Sequence, residues 1–410
     1  MREGILIVAL CGAEPRAHSV VMERKFHDGM LGFVERLDVP IACLLPRLSA
    51  AETDGAIDSI EAPLEDLTYR IHYVERPVPT PDNLRTIEGL LDEAGLVILG
   101  ALENFNMAIA KLCQRRGVPY VIVTEYTQKT QLQIMRATTP SLLRRAVREL
   151  RFPLGVRRAH QMVAGAAEIH ANGYPTYDEF ATTNPHRTLF FDTRARASDI
   201  ISNAELSARL GSHESARPNL IFSGRYHPIK GALDVIRVGL ELDRRGFDFQ
   251  LDLYGKGPLR QAMESMARGA AAAGKINIHD AVSFPELQQT TRQADLFVCC
   301  HVQGDPSCTY VETFACGVPI AGYANEMWSP LCKESGAGVV VRNGDYTAMA
   351  DAIIRLLASE ELSAASHRAR EFASRHTMEI ALDSRAARMT ALIRGGANRS
   401  FAFEPRSAIT

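Results

Sequence analysis

Residues 220–231 read LIFSGRYHPIKG. The apolar start predicts a strand ending at Ser223, and Gly224 permits a tight turn. Arg225 and Lys230 then stand at the mouth of the sheet that this strand joins. Two fixed cations in that position suit a pyrophosphate, whose charge must be neutralised as it leaves. The plainer alternative is a strand, loop and helix with a solvated Arg and Lys. Residues 253–259, LYGKGPL, carry a second strand into a Gly-x-Gly-Pro turn. There Gly255 either lets a ligand approach the backbone or simply makes a tight turn, and Pro258 suits a first helical turn.

A third stretch, 305–319, reads DPSCTYVETFACGVP after the apolar run ADLFVCC and the polar loop HVQG. Asp305 or Ser307 is expected to cap a helix, with Pro306 at its first position and Gly317 as its C-terminal stop. Free amides near Thr309 and Tyr310 would then form an anion site at the sheet edge. Cys308 and Glu312 are four residues apart and share a helix face, with Thr309 three before Glu312. A carboxylate there accepts two ribose hydroxyls, or is an acid on a solvated helix face.

The first half offers fewer chemical groups. Gly12, after the first apolar run, would let a donor or acceptor approach the backbone. Glu125 and Tyr126 follow another strand, and Glu125 is either a cleft residue or a solvated loop acid. In FFDTRAR, residues 190–196, Asp192 and Arg194 either line a cleft or pair with each other.

These groups need a frame, and the apolar pattern supplies one. Short apolar runs alternate with longer amphipathic ones, the signature of α/β units around parallel sheets. Strands are expected over 5–10, 41–45, 69–74, 96–99, 120–123 and 189–191, with helices between most of them, such as 83–93 and 106–116. Residues 202–218, SNAELSARLGSHESARP, lose the strand pattern and read as a linker. A second series follows, with strands at 220–223, 249–254, 276–279, 296–300, 318–321 and 338–341, and helices after 346. The expected organisation is therefore two Rossmann-like α/β domains, 1–201 and 219–375, facing a cleft, with 376–410 forming a helix that packs back on the first. Ligands in such sheets bind beyond the carboxyl ends of the strands.

Composition narrows the classes. With 410 residues, 46% hydrophobic and 23% charged, the chain is of ordinary globular type, and its net charge of −2 gives no global attraction to nucleic acid. The eight cysteines form no C-x-x-C pair and suit buried thiols in a reducing compartment, so no zinc or other metal site is expected. The start, MREGILIVALCGAEPR, reads as a first strand and not as a signal peptide. No run reaches the ~18–20 apolar residues of a membrane span. One local imbalance stands out: residues 136–158 hold seven arginines against Glu149. A helix opening at Thr139 and Pro140 would carry Leu142, Leu143, Ala146, Val147 and Leu150 on one side and Arg144, Arg145, Arg148 and Arg151 on the rest. Such a helix lies on an anionic membrane surface or packs on the first domain with its arginines in water.

The three stretches of the second half, in this order, resemble the donor half of GT-B glycosyltransferases of family four, the group 1 retaining transferases. Gly224, Arg225, Lys230 and Gly231 match that family's phosphate-binding motif. Gly255–Leu259 matches its Gly-x-Gly-Pro-Leu. Glu312, Ala315, Cys316, Gly317 and Pro319 match its Glu-x-x-Ala-Cys-Gly-x-Pro. The resemblance covers about residues 219–375. It implies a UDP- or GDP-sugar as substrate with no cofactor, retention at the anomeric carbon, and transfer without a metal, in keeping with the lack of an Asp-x-Asp. Arg225, Lys230, Glu312 and Asp305 would carry catalysis. Gly224, Gly255, Ser307, Cys308, Thr309 and Tyr310 would complete donor binding.

One departure matters. The family has a first glutamate, usually on the donor sugar, where this chain has Gly304. Asp305 or backbone amides would have to replace it, or the protein is not catalytic. The family's His after the strand at 120–123 is also missing. The function expected from the resemblance is hexose transfer to a glycan or lipid-linked acceptor in bacterial cell-surface or exopolysaccharide synthesis. The protein would be cytoplasmic, either free or held peripherally at the inner face of the cytoplasmic membrane. The alternatives are a nucleotide-sugar epimerase on the same fold and a non-catalytic nucleotide-sugar-binding partner.

Overall fold

The computed structural model describes residues 3–395 apart from 10, 55–57, 101, 140, 214–216, 269–273 and 305. Two parallel sheets dominate it. The first has seven strands in the order Arg187–Phe190, Glu168–Asn172, Tyr120–Thr124, Ala94–Leu99, Gly4–Val8, Ile41–Pro46, Arg70–Val74. The second has six, in the order Ile276–His279, Gln250–Tyr254, Asn219–Ser223, Leu296–Cys299, Ile320–Tyr323, Gly338–Val341. Neighbouring strands are parallel throughout both sheets. Inner strands such as Leu296–Cys299 and Ile320–Tyr323 are buried at every position, because helices cover both faces. That burial is why they read as continuous apolar runs and not as alternating ones.

The two-domain α/β expectation holds, with three differences. First, the stretch read as a linker contains a helix. The helix Asn203–His213 occupies most of that stretch, and its Leu206 is fully buried against Gly317. Arg209 from the same helix donates to the carbonyls of Cys316 and Gly317 at 2.9 and 2.6 Å, so the segment is fastened to the second domain. Second, a small antiparallel sheet of Ala13–Pro15, Ser19–Glu23 and Ser59–Pro63 follows the first strand. Its strands are only three to five residues long, and Arg16, just past the first, pairs with Glu14 and Glu61 across it. Third, the helix Thr309–Ala315 starts later than expected. Its N-cap is Cys308 with no side-chain cap, and Pro306 lies before it.

The final helix, Met378–Gly395, lies on the first sheet, not the second. Met378, Leu382, Ala386 and Met389 join a buried cluster with Ile5, Ile7, Leu96, Ile98, Met30 and Phe33. The basic segment forms the helix Leu142–Ala164, capped by the Ser141 hydroxyl. Pro140, expected at its opening, lies outside the described residues. Its far end is anchored by Ala159, Met162 and Val163. Its near end does not pack: Leu142, Leu143, Leu150 and Leu154 are 76, 77, 82 and 60% exposed. Among the described residues no helix is long and apolar enough to cross a membrane.

Candidate active site

The carboxyl ends of the second sheet are stitched together by glycine turns. Tyr226 N donates to Lys256 O at 2.9 Å and Leu259 N to Tyr226 O at 3.1 Å, so the loops after Ser223 and Tyr254 pack as one unit. A β-carbon on Gly255 would collide with the Gly224 carbonyl, which accounts for that glycine by backbone contact alone. Gly231 is left-handed at φ 61°, and a β-carbon there would collide with the Cys300 carbonyl. This close approach holds the preceding short 3-10 turn Pro228–Lys230 against the next strand's end. Lys230 is consequently buried at 6% exposure, whereas Arg225 on the same loop is exposed.

The helix Thr309–Ala315 stands beside them. The Tyr310 amide is taken by the Ser307 carbonyl at 3.3 Å and the Glu312 amide by the Cys308 carbonyl at 3.1 Å, so neither is a free anion donor. The Ser307 hydroxyl turns to Thr309 at 3.1 Å instead of capping the helix. Tyr310 is a core residue, its ring parallel to Trp328 at 5.7 Å. Asp305 lies outside the described residues.

Glu312 is buried and is held from the other half of the chain. Arg194 Nε donates to its Oε1 at 2.8 Å, Nη2 to its Oε2 at 2.9 Å, and the Arg194 amide to Oε1 at 3.2 Å. Arg194 Nη1 also reaches Asp58 at 3.0 Å, and its guanidinium covers the Phe284 ring at 4.2 Å. Burial lowers the pKa of Arg194, but its neighbours, the bidentate Glu312 first and Asp58 after it, together raise it above the usual value. Asp192 does not pair with Arg194. It pairs with Lys25, whose Nζ also donates to Cys308 Sγ at 2.9 Å. Burial pushes the Cys308 thiol up to about 12, against the pull of Lys25, so it is protonated near neutrality.

A further cluster spans the cleft at Gly304. Glu326, in the loop after Ile320–Tyr323, pairs through Oε1 with Lys129 of the first domain at 2.6 Å. The same side chain presses on Gly304: a β-carbon at 304 would lie 2.6 Å from Glu326 Cβ and 3.1 Å from its Oε2.

On the first-domain side of Asp192 lies a cavity of about 790 Å³ at the carboxyl ends of the first sheet. Glu125 and Asp192 line it, but Gly12 and Arg194 do not. Gly12 is small for a packing reason, since a β-carbon there would meet Leu48 Cγ at 2.5 Å. Among the described residues no cluster of His, Cys, Asp or Glu is arranged to hold a metal.

The structure therefore places Gly224, Lys230 and Gly255 in the packed turns of the second sheet, and brings Cys308 and Glu312 of the second domain against Lys25, Asp192 and Arg194 of the first. Sequence reasoning missed Lys25, Lys129 and Glu326. Each lies far along the chain from its partners and belongs to no motif.

Residues 217–359 match the family described as Glycosyl transferases group 1, so the second half carries a domain of that kind. Over 207 residues the chain is 27% identical to the alpha-D-kanosaminyltransferase of Streptomyces kanamyceticus, covering 50% of this chain and 49% of that one. Over 181 residues it is 29% identical to the GDP-mannose-dependent alpha-(1-6)-phosphatidylinositol monomannoside mannosyltransferase of Mycolicibacterium smegmatis, covering 42% and 47%. The matches thus span about half the length of these relatives. HepE of Anabaena, solved with UDP, superposes with a TM-score of 0.68 at 13% identity over 95% of this chain and 99% of that one. The fold is GT-B.

Proposed function

We propose that the chain is a retaining glycosyltransferase that moves a hexose from a UDP- or GDP-sugar to a glycan or lipid-linked acceptor. The observation that carries this reading is that Glu312 and Cys308, on one helix of the second domain, are held by Arg194 and Lys25 of the first, next to the cavity that Lys25 and Asp192 line. In this reading Arg225 and Lys230 neutralise the departing diphosphate. The Glu312 carboxylate holds the ribose, in the orientation that Arg194 fixes for it. Glu326 supplies, from a different loop, the carboxylate that Gly304 lacks, and contacts the donor sugar. Asp305 is the alternative donor-sugar residue. The departing phosphate takes the acceptor proton during front-face attack, and no metal takes part.

The exposed leucines and arginines of Leu142–Ala164 support peripheral attachment to an anionic cytoplasmic membrane face, where lipid-linked acceptors of cell-surface glycan synthesis reside. The assay is incubation with UDP-glucose and with GDP-mannose in EDTA. Slow release of free sugar is expected from one of them. Binding of both without any release would instead favour the non-catalytic binding protein. Release that needs added magnesium or manganese would overturn the metal-free reading.

A further inference from the structure

The cavity in the first domain differs in character from the donor side. Its walls are apolar: Phe26, Met30 and Phe33 from one helix, Met135 from a second, and Leu382 and Met389 from the final helix. Methionines in such numbers make a surface that adapts to an unbranched apolar guest. Its mouth is acidic, with Glu23, Glu103 and Glu125 all exposed. Among its lining residues are two cations, Lys25 and Arg385. Lys25 is already committed to Asp192 and Cys308. Arg385 is not committed to a carboxylate. Its guanidinium rests on Phe190 and Phe33, 4.4 and 5.0 Å from the ring centroids, and its Nε donates to His170 Nδ1 at 3.3 Å. Among the described residues no carboxylate is within ion-pair distance of it. Burial draws its pKa down to about 10, and the more distant Asp192 and Glu125 only partly offset this. A guanidinium at that pKa is still charged at neutrality, and the energetic demand for a counter-ion is unmet.

We propose that this cavity receives the apolar segment of the acceptor, and that Arg385 binds an anionic group, a phosphate or carboxylate, joined to that segment. The inference rests on the reading of the first domain as the acceptor side of a transferase. The acidic mouth sharpens it. Glu23, Glu103 and Glu125 repel an anion held at the rim, so the anionic group must pass them to reach Arg385. The same carboxylates accept hydroxyls of a sugar left at the mouth, next to Asp192 and the donor edge. Arg385 is a binding residue in this account and takes no part in bond making.

Calorimetric titration of the full chain tests it, with n-decyl phosphate, decanoate, decanol and inorganic phosphate as probes, each below its micellar concentration. Decyl phosphate is expected to bind at least tenfold more tightly than decanol, and inorganic phosphate alone is expected to give no signal. A decanoate preference over decyl phosphate would identify a carboxylate acceptor within the same proposal. Arg385→Gln should abolish the advantage of the charged probe, and Arg385→Lys should keep most of it. UDP titration of each variant verifies that it has folded. If Arg385→Gln does not fold, Met135→Trp, which fills the cavity from its half-buried wall, should abolish decyl phosphate binding. Equal binding of charged and uncharged probes overturns the proposal. So does binding indifferent to Arg385→Gln and Met135→Trp, or binding lost only on Leu143→Gln with Leu150→Gln, which would locate the probe on the exposed helix. A chain that binds UDP but not decyl phosphate also overturns it while leaving the donor reading intact. A chain that binds decyl phosphate in the Arg385-dependent manner but no UDP sustains the anion site and removes the donor reading.

Discussion

Glu326 occupies the space that a side chain at Gly304 would need, with its Oε2 3.1 Å from the position of a β-carbon there. A carboxylate therefore stands where the motif lacks one, delivered by the loop after a neighbouring strand. Glu326→Gln is expected to lower donor hydrolysis and transfer at least tenfold while UDP binding is kept. Its ion pair with Lys129 is 37% and 66% exposed, so the loss of stability should stay within about 1 kcal/mol. Kinetics at saturating donor, with UDP titration beside them, provide the check. Unchanged turnover would return the role to Asp305 or to backbone amides.

Arg194→Ala is expected to destabilise the protein by about 3 kcal/mol, the low end for losing one partner of a buried pair. The low end applies because Arg194 is 29% exposed while Glu312 is 8% exposed. Glu312 would be left buried without its bidentate partner, keeping only the backbone amide of residue 194. Urea unfolding measures the cost. The donor KM should rise in the same variant, because the carboxylate loses its fixed orientation. A midpoint equal to that of the parent protein would mean that Arg194 and Glu312 do not depend on each other.

Arg225→Ala and Lys230→Ala should each reduce turnover by the equivalent of about 1.5–3 kcal/mol, roughly ten- to a hundredfold, if each contributes a charge-assisted bond to the diphosphate. Their stabilities should differ. Arg225 is exposed and its loss should be silent in unfolding, whereas Lys230 is buried beneath the turn at Gly231. Parent-like turnover in both variants removes the phosphate assignment.

Stability should fall as the pH drops from about 6.5 toward 4. His376 packs on Phe372 and Phe191 at 4.2 and 4.9 Å, and burial, aided by Arg375, lowers its pKa from 6.5 to about 4. His170 shifts the same way, by burial and then by Arg385 and Arg388. The folded state thus favours the neutral rings, and between these pH values the unfolded chain binds more protons. The contribution is complete above pH 6.5 and is lost below it. Urea unfolding at pH 7 and pH 5 should show the drop, and His376→Phe should lessen it. A flat profile over that range, or one unaffected by His376→Phe, contradicts the assignment.

Flotation with anionic liposomes should recover the protein at low salt and release it at high salt. The helix Leu142–Ala164 leaves its leucines in solvent, while Arg145 and Arg148 are drawn back to Thr139 and Arg144 and Arg151 face outward. Each basic residue near an anionic surface adds about 1 kcal/mol within a Debye length of about 8 Å. Binding should weaken on replacing Arg144, Arg145, Arg148 and Arg151 with Gln, and separately on Leu143→Gln with Leu150→Gln. No flotation at low salt, or recovery unaffected by either set, would leave this an exposed helix with another role.

The sequence by itself determined the parts whose cause is local. Parallel strands buried on both faces favour apolar residues at successive positions, so the runs at 220–223 and 296–300 were readable, and so was the two-series α/β order. The turns at Gly255 and Gly231 were readable for a related reason: the backbones approach so closely that only glycine fits, and the type of residue records it. The helix within the expected linker at 202–218 was not legible because its burial comes from one side only. Leu206 and Arg209 meet the second domain, while the Ser and Ala between them carry no pattern.

Tertiary structure alone decided which charges meet. Arg194 could be named from the sequence but its partner could not, because Glu312 lies in the other domain and Asp192, two residues away, pairs with Lys25 instead. Glu326 and Gly304 are joined by the parallel order of the second sheet, which brings the loops after Leu296–Cys299 and Ile320–Tyr323 side by side. The lack of packing under Leu142, Leu143 and Leu150 belongs to the same class. Periodicity establishes that a helix has an apolar face, but whether another element covers that face depends on where distant segments come to lie.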